Sequence, residues 1–176
     1  MNKMLITGGS GMVGRSIQEH PAAYEWEVLA PSSLELDLMN SAAVEAYIIA
    51  HQPNVIVHCA GKVGGISANM AEPVDFLDRN VMISRNVIMA ARTAGVMQLI
   101  NMGSTCIYPR AVQNPLREEF LLTGELEPTN EGYAIAKIFA LRLCEYIQRE
   151  NEAFLYKTLI PCNLFGPYDK FDPKNS

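Results

Sequence analysis

Apolar residues along this chain fall into two kinds of stretch that alternate from end to end. Short blocks rich in Val, Ile and Leu cover residues 3–7, 26–30, 54–59, 97–102 and 154–160. Longer helix-length segments cover 12–20, 41–51, 71–93 and 132–150. Strand-length blocks alternating with helix-length segments predict repeated βαβ units around a parallel sheet. Blocks this apolar predict strands hidden on both faces. No internal repeat is visible in the sequence.

Local signals refine the boundaries. Gly95 stands where the third helix needs a left-handed terminating residue. Ser41 is placed to cap the second helix, with Glu45 near its first turn. The segment 104–131 is long, polar and punctuated by Pro109, Pro115 and Pro128. A connection of that length within one domain is characteristically functional or mobile, and it follows the end of a strand, where open α/β sheets hold their ligands. The final stretch, 166–176, has no apolar periodicity and reads as a loop.

Composition narrows the class. With 176 residues, 49% of them hydrophobic and 19% charged, the chain supports one compact unit with a sizeable core. A net charge of −5 excludes a general binder of nucleic acid or anionic membranes, so any phosphate site has to be local. No apolar run approaches the ~20 residues needed to span a bilayer. Met1-Asn2-Lys3 leads directly into a strand without a signal-peptide pattern, and a cytoplasmic location follows by default. Cys59, Cys106, Cys144 and Cys162 form no Cys-x-x-Cys pair and have no histidines at zinc-ligand spacing, so they read as thiols and no metal site is expected. His58, inside an apolar strand, reads as a hydrogen-bonded core histidine.

The chemistry begins immediately after the first strand. Gly8-Gly9-Ser10-Gly11-Met12-Val13-Gly14 places glycines at positions 8, 11 and 14, just before a helix. Such a turn lets the backbone approach a pyrophosphate, whose charge the amides of the helix N-terminus receive. In the first βαβ unit this is a dinucleotide-binding signature, and it makes the expected fold a doubly wound Rossmann sheet, three αβα layers with strand order 3-2-1-4-5. At the end of the second strand, Ala30-Pro31-Ser32-Ser33 lacks the carboxylate that would select NAD. The hydroxyls of Ser32 and Ser33 leave room for a 2′-phosphate, which points to NADP with NAD still compatible. Asp37, followed by Leu38, either accepts from the adenine amino group or acts as a charge near a helix start. Tyr133 and Lys137, four residues apart, share one helix face. A cation beside a tyrosine lowers the cost of its phenolate, and with Ser104 at the end of the fourth strand this composes a hydroxyl, tyrosine and lysine reduction site.

Ile6-Thr7-Gly8-Gly9-Ser10-Gly11-Met12-Val13-Gly14, Tyr133-Ala134-Ile135-Ala136-Lys137 and Ser104 together resemble the extended short-chain dehydrogenase/reductase family, whose members act largely on nucleotide sugars. Lys62-Val63-Gly64-Gly65-Ile66, Ser104-Thr105-Cys106-Ile107-Tyr108-Pro109, Glu127-Pro128-Thr129-Asn130-Glu131-Gly132-Tyr133 and Asn163-Leu164-Phe165-Gly166-Pro167-Tyr168-Asp169 narrow the resemblance. They point to that family's GDP-4-keto-6-deoxymannose epimerase/reductases, the NADPH-dependent makers of GDP-L-fucose, which invert C3 and C5 and then reduce the C4 ketone. The resemblance implies that Tyr133 donates a proton to the C4 oxygen, Lys137 holds the nicotinamide ribose, Ser104 hydrogen-bonds the ketone and Cys106 takes part in epimerisation. It further implies that Met102, Gly103, Ser104, Thr105, Lys137, Pro161, Cys162, Asn163 and Leu164 line the cofactor site, along with the glycine turn, Ser33, Asp37 and Leu38. A homodimer through the third helix and the Tyr133 helix is likewise implied.

Two departures from the pattern stand out. Ser10 and Ser33 occupy positions where some members of the family carry arginines toward the 2′-phosphate. The chain ends at Asp172-Pro173-Lys174-Asn175-Ser176, just before the family's second epimerisation acid/base, a histidine, and before its C-terminal substrate domain. On this reading residues 1–176 are the cofactor-binding domain. Two other readings stay open: another NAD(P)-dependent nucleotide-sugar epimerase or dehydratase, and a catalytically silent dinucleotide-binding module.

Overall fold

A computed structural model describes residues 1–169 of the chain. Five strands form one parallel sheet: β1 (Asn2–Thr7), β2 (Trp26–Leu29), β3 (Val55–His58), β4 (Gln98–Met102) and β5 (Leu155–Leu159). The helices are α1 (Met12–Glu19), α2 (Ser41–His51), α3 (Ile66–Ala71), α4 (Pro73–Thr93) and α5 (Glu131–Glu150). Each strand and each longer helix lies where the apolar pattern puts it, within a residue or two.

The strand order is β2-β1-β3-β4-β5, which replaces the expected 3-2-1-4-5. The physical reason lies in the chain after β2. Rather than extending the sheet outward, it turns tightly on itself, with Glu35 and Leu36 amides bonding the Ser32 carbonyl. It then enters α2, whose Val44 and Ile48 share a core cluster with Leu5 of β1 and Ile56 of β3. The crossover therefore passes back over β1 and delivers β3 to its other edge, where Met4 registers with Val55 and Thr7 with His58.

Two apolar layers flank the sheet. On one face α2, α4 and α5 cover Leu5, Ile56, Leu99 and Tyr156; on the other, α1 packs with Met4, Ile6, Val55 and Val57. Burial on both faces holds for β3 and most of β1 but not for β2 and β5. These two are edge strands, and β5 leaves Leu155 and Leu159 exposed. Because α1 and α4 lie on opposite faces, the chain leaves the adjacent β1 and β3 in opposite directions. That divergence opens a crevice above their C-terminal ends.

Three local expectations are corrected or refined. Asn40, not Ser41, caps α2, its side chain accepting from the Ala43 amide at 3.1 Å. The third helix does not start at residue 71: a separate helix, α3, ends there, and α4 starts at Pro73, whose missing N–H and fixed φ suit a first helical turn and not an interior. Gly95 has φ +71°, the left-handed terminator its position requires. Among the described residues no helix is long and apolar enough to cross a membrane.

Candidate functional site

The crevice begins at the glycine turn. Gly8 has φ +72°, and a Cβ there would stand 2.7 Å from the Ala60 backbone nitrogen, so only glycine lets the turn lie against the end of β3. Gly14, inside α1, faces the same turn, and a side chain would collide with the Gly8 carbonyl oxygen. The Gly11 amide closes the turn onto that carbonyl at 3.0 Å. Gln18 braces it from below, donating to the carbonyls of Gly9 at 2.6 Å and Gly14 at 3.0 Å. Gly11 at the N-cap of α1 offers no capping side chain and the first turn contains no acid. The helix amides at Met12 and Val13 are thus left for an anion, the fit a dinucleotide pyrophosphate demands.

Under the crevice runs a polar row that strand register alone assembles, buried at Thr7, His58 and Asn101 and half-buried at Thr158. Thr7, His58, Asn101 and Thr158 are successive partners across β1, β3, β4 and β5. Thr7 Oγ1 and His58 Nδ1 are 2.7 Å apart, His58 Nε2 is 3.3 Å from Ser84 Oγ, and Asn101 donates to Thr158 Oγ1 at 3.2 Å. Burial, with the Lys137 ammonium adding to it, lowers the His58 pKa to about 3, so this histidine is neutral. It is the hydrogen-bonded core histidine that its strand position predicts. Thr7 and His58 are the last residues of β1 and β3, and Asn101 and Thr158 the last but one of β4 and β5.

Lys137 and Tyr133 come from the first turns of α5, and Lys137 is 5% exposed. Its ammonium donates to the Met102 carbonyl at 2.8 Å, joining α5 to the end of β4, and lies 5.5 Å from the centroid of the Tyr133 ring. Burial lowers the Lys137 pKa below its ordinary value, while nearby Cys106 and Cys59 act the other way. Burial raises the Tyr133 phenol well above 10.0, and Cys106 adds to the rise, so Tyr133 carries its proton at neutral pH. Phe76 of α4 meets the Tyr133 ring edge-on with centroids 6.5 Å apart.

Ser104 and Cys106 follow β4 directly. The Ser104 hydroxyl accepts from the Cys106 amide at 3.4 Å. Burial raises the Cys106 thiol, and Ser104 and Lys137 oppose the rise. The Gly103 amide donates to the Leu159 carbonyl at 2.7 Å, tying the end of β4 to that of β5. Met102, Gly103, Ser104, Thr105, Cys106, Tyr133 and Lys137 thus form one neighbourhood. Pro161, Cys162 and Asn163 continue from β5 beside it, Cys162 and Asn163 exposed.

The other end of the crevice is built differently. Ser10 and Ser33 are exposed, and Asp37 accepts the Met39 amide at 2.9 Å, closing a local turn. Asp37 precedes α2 by several residues, which removes its reading as a helix-start charge. Leu38 is half-buried against the core. Leu164 is set apart from this neighbourhood: it lines, with Met12, Val13, Ile17, Trp26 and Phe165, an apolar cavity of about 530 Å³ against α1 that contains neither Tyr133 nor Lys137. Residues 172–176 of the terminal motif lie outside the described residues. Among the described residues no cluster of His, Cys, Asp and Glu is suited to a metal ion.

Sequence reading missed the supports. Gln18, Asn80 and Asn86 are polar residues on helices, and nothing in their spacing reveals which backbone they hold. Asn80, 2% exposed on α4, accepts the Lys62 amide at 2.8 Å and donates to the Lys62 carbonyl at 3.0 Å, setting the loop after β3. That loop is not a free strap. It is shaped by α3, where Asn69 donates to the carbonyls of Gly64 and Gly65 at 2.9 and 3.1 Å.

Comparison with known proteins finds relatives along the whole chain. The chain is 51% identical over 174 residues to a GDP-L-colitose synthase of Yersinia pseudotuberculosis, covering 99% of this chain and 56% of that protein. It is equally 51% identical to a GDP-L-fucose synthase of Azorhizobium caulinodans, covering 55% of it. Among solved structures, a GDP-L-fucose synthetase from Naegleria fowleri bound to NADP superposes with a TM-score of 0.87 at 29% identity, over 99% of this chain and 58% of that one. The chain therefore spans about half the length of the relatives it matches. A model of the NAD dependent epimerase/dehydratase family matches residues 4–176, and the chain belongs to that family.

Proposed function

We propose that this chain is the cofactor-binding domain of an NADPH-dependent epimerase/reductase acting on a GDP-linked 4-keto-6-deoxy sugar, the class represented by GDP-4-keto-6-deoxymannose. The observation that carries the reading is the Lys137 contact to the Met102 carbonyl, which brings Tyr133 and Lys137 beside Ser104 and Cys106 at the mouth that the glycine turn opens. The two relatives of equal identity are named for two different GDP-linked sugars, so the proposal concerns the GDP-linked class.

Gly8 to Gly14 and the α1 amides hold the pyrophosphate. Ser33, Asp37 and Leu38, with Ser10, face the adenosine end, and the lack of a carboxylate among Ala30, Pro31, Ser32 and Ser33 at the end of β2 admits a 2′-phosphate. Met102 to Thr105, Lys137 and the segment from Pro161 to Asn163 line the nicotinamide side. When bound, NADPH supplies the hydride for reduction of the ketone. The chain supplies the protons. Tyr133 is protonated at neutral pH and gives its proton to the carbonyl oxygen as negative charge develops there, an event the buried Lys137 ammonium favours. Ser104 donates a hydrogen bond to the same oxygen. Cys106 exchanges protons at the carbons beside the ketone, which the carbonyl acidifies.

The same reading extends to assembly and place. The domain occupies residues 1–176, works in the cytoplasm, and pairs with a second copy through α4 and α5. The test is to mix the purified chain with NADPH and GDP-4-keto-6-deoxymannose and follow the loss of nicotinamide absorbance. Turnover supports the full reading. NADPH binding without turnover assigns the chain the binding role alone, and the absence of both overturns the proposal.

A further inference from the structure

The segment between β2 and α2 is held almost entirely by bonds within itself. The Ser32 amide donates to the Glu35 carboxylate at 2.8 Å, Asp37 receives the Met39 amide, and the Asn40 amide donates to the Asp37 carbonyl at 3.0 Å. These bonds set the shape of the segment but not its place over the sheet. Leu36 anchors one side in the core. The polar anchor comes from far away in sequence: Asn86, in the middle of α4, donates from one side-chain nitrogen to the carbonyls of Leu38 at 2.9 Å and Met39 at 3.2 Å.

Asn86 is 2% exposed and sits among Val87, Ala90 and other members of the apolar cluster. Its own carbonyl oxygen is buried without a partner. A buried amide with an unsatisfied acceptor is a burden unless its donors do something a hydrocarbon side chain could not. Here the donors fix two consecutive carbonyls, so the peptide planes around Leu38 turn inward and the Asp37 side chain stays on the outer surface.

We propose that Asn86 is a positioning residue for the adenosine end of the dinucleotide, holding the backbone of residues 37–39 in the place where Asp37 and Leu38 meet the base. The proposal rests on the dinucleotide reading of the glycine turn and adds to it a residue that touches no ligand. Its action is one-sided. Asn86 has no bond to the loop after β4 or to α5, so its loss leaves the nicotinamide side as it was.

The experiment compares the unmodified chain with Asn86→Leu, which keeps the branched shape and removes both donors, and with the milder Asn86→Ser. Binding is titrated with 2′,5′-ADP, with NADPH and with reduced nicotinamide mononucleotide. The expected result for Asn86→Leu is a Kd about tenfold higher for 2′,5′-ADP and NADPH, with reduced nicotinamide mononucleotide unchanged. Amide hydrogen exchange quickens at residues 36–40 and not at 102–106. Unchanged affinity for 2′,5′-ADP in both variants overturns the proposal, and so does an equal loss for both half-ligands, which marks general loosening. If both variants fail to fold, exchange in the unmodified chain decides: 2′,5′-ADP slows residues 36–40 if the proposal holds, and leaves them unchanged if it does not. Failure of the unmodified chain to bind NADPH at all is a different result, which removes the dinucleotide reading itself and this inference with it.

Discussion

The two ends of the crevice are made by opposite means. At the end where Lys137 and Tyr133 stand, side chains are withdrawn from water, and bonds between distant elements fix them: α5 to β4 through Lys137, β4 to β5 through Gly103, β1 to β3 through Thr7 and His58. Ionisation there is shifted by burial first and by neighbours second. At the end where Ser33 and Asp37 stand, the groups are exposed, the bonds are local, and a single buried amide from α4 ties the segment down. Proton transfer needs a dry, fixed environment, because charge differences act strongly only where water is excluded. Recognition of a ribose and a base needs a shaped surface, which a short hydrogen-bonded turn provides.

The sharpest way to break the comparison is to remove chemistry without touching binding. Tyr133→Phe should lower NADPH-dependent reduction of the keto sugar by about 10³-fold, the scale of a lost general acid, with the NADPH Kd within a factor of two. Stopped-flow absorbance and a binding titration read the two effects separately. Next in size is a change that strikes both ends at once. Gly14→Val drives a side chain into the Gly8 carbonyl and should raise the Kd for NADPH and for 2′,5′-ADP alike, by about 100-fold.

A smaller effect belongs to the adenosine end alone. Ser33→Asp places a carboxylate toward the 2′-phosphate and should weaken NADPH by about tenfold while leaving NADH nearly unchanged, as fluorescence titration would show. The smallest concerns the row beneath the crevice. Folding lowers the His58 pKa from 6.5 to about 3, so between these values the unfolded chain binds the proton that the folded chain refuses. Stability from this site is complete above pH 6.5 and is lost as pH falls toward 3. His58→Gln should flatten the fall in Tm across that window relative to the unmodified chain, by a few degrees at its lower end.

Much of this molecule is legible before its structure is known, and the reason is local. Strands such as Val55–His58 follow from short apolar blocks, helices such as Met12–Glu19 from apolar spacing, and the glycine turn from its own spacing and its place between a strand and a helix. Tyr133 and Lys137 are readable because one helix turn carries both. Strand order is not local. Whether the chain after β2 runs outward or folds back is decided by tight turns around Ser32 and by where Val44 and Ile48 find partners, neither of which periodicity contains. Helix capping by Asn40 in place of Ser41 turns on a one-residue shift that both sequences of polar groups would permit. Asn86 and Gln18 are illegible for a related reason, since a polar residue on a helix gives no sign of the backbone it will hold.

The central claim is that the glycine turn, Ser33 and the Lys137 neighbourhood compose a dinucleotide site with room for a 2′-phosphate. Fluorescence titration of the chain with NADPH, with NADH in parallel, tests it most directly. Saturable binding of NADPH, tighter than that of NADH, is the predicted result. Saturable binding of neither would contradict the account.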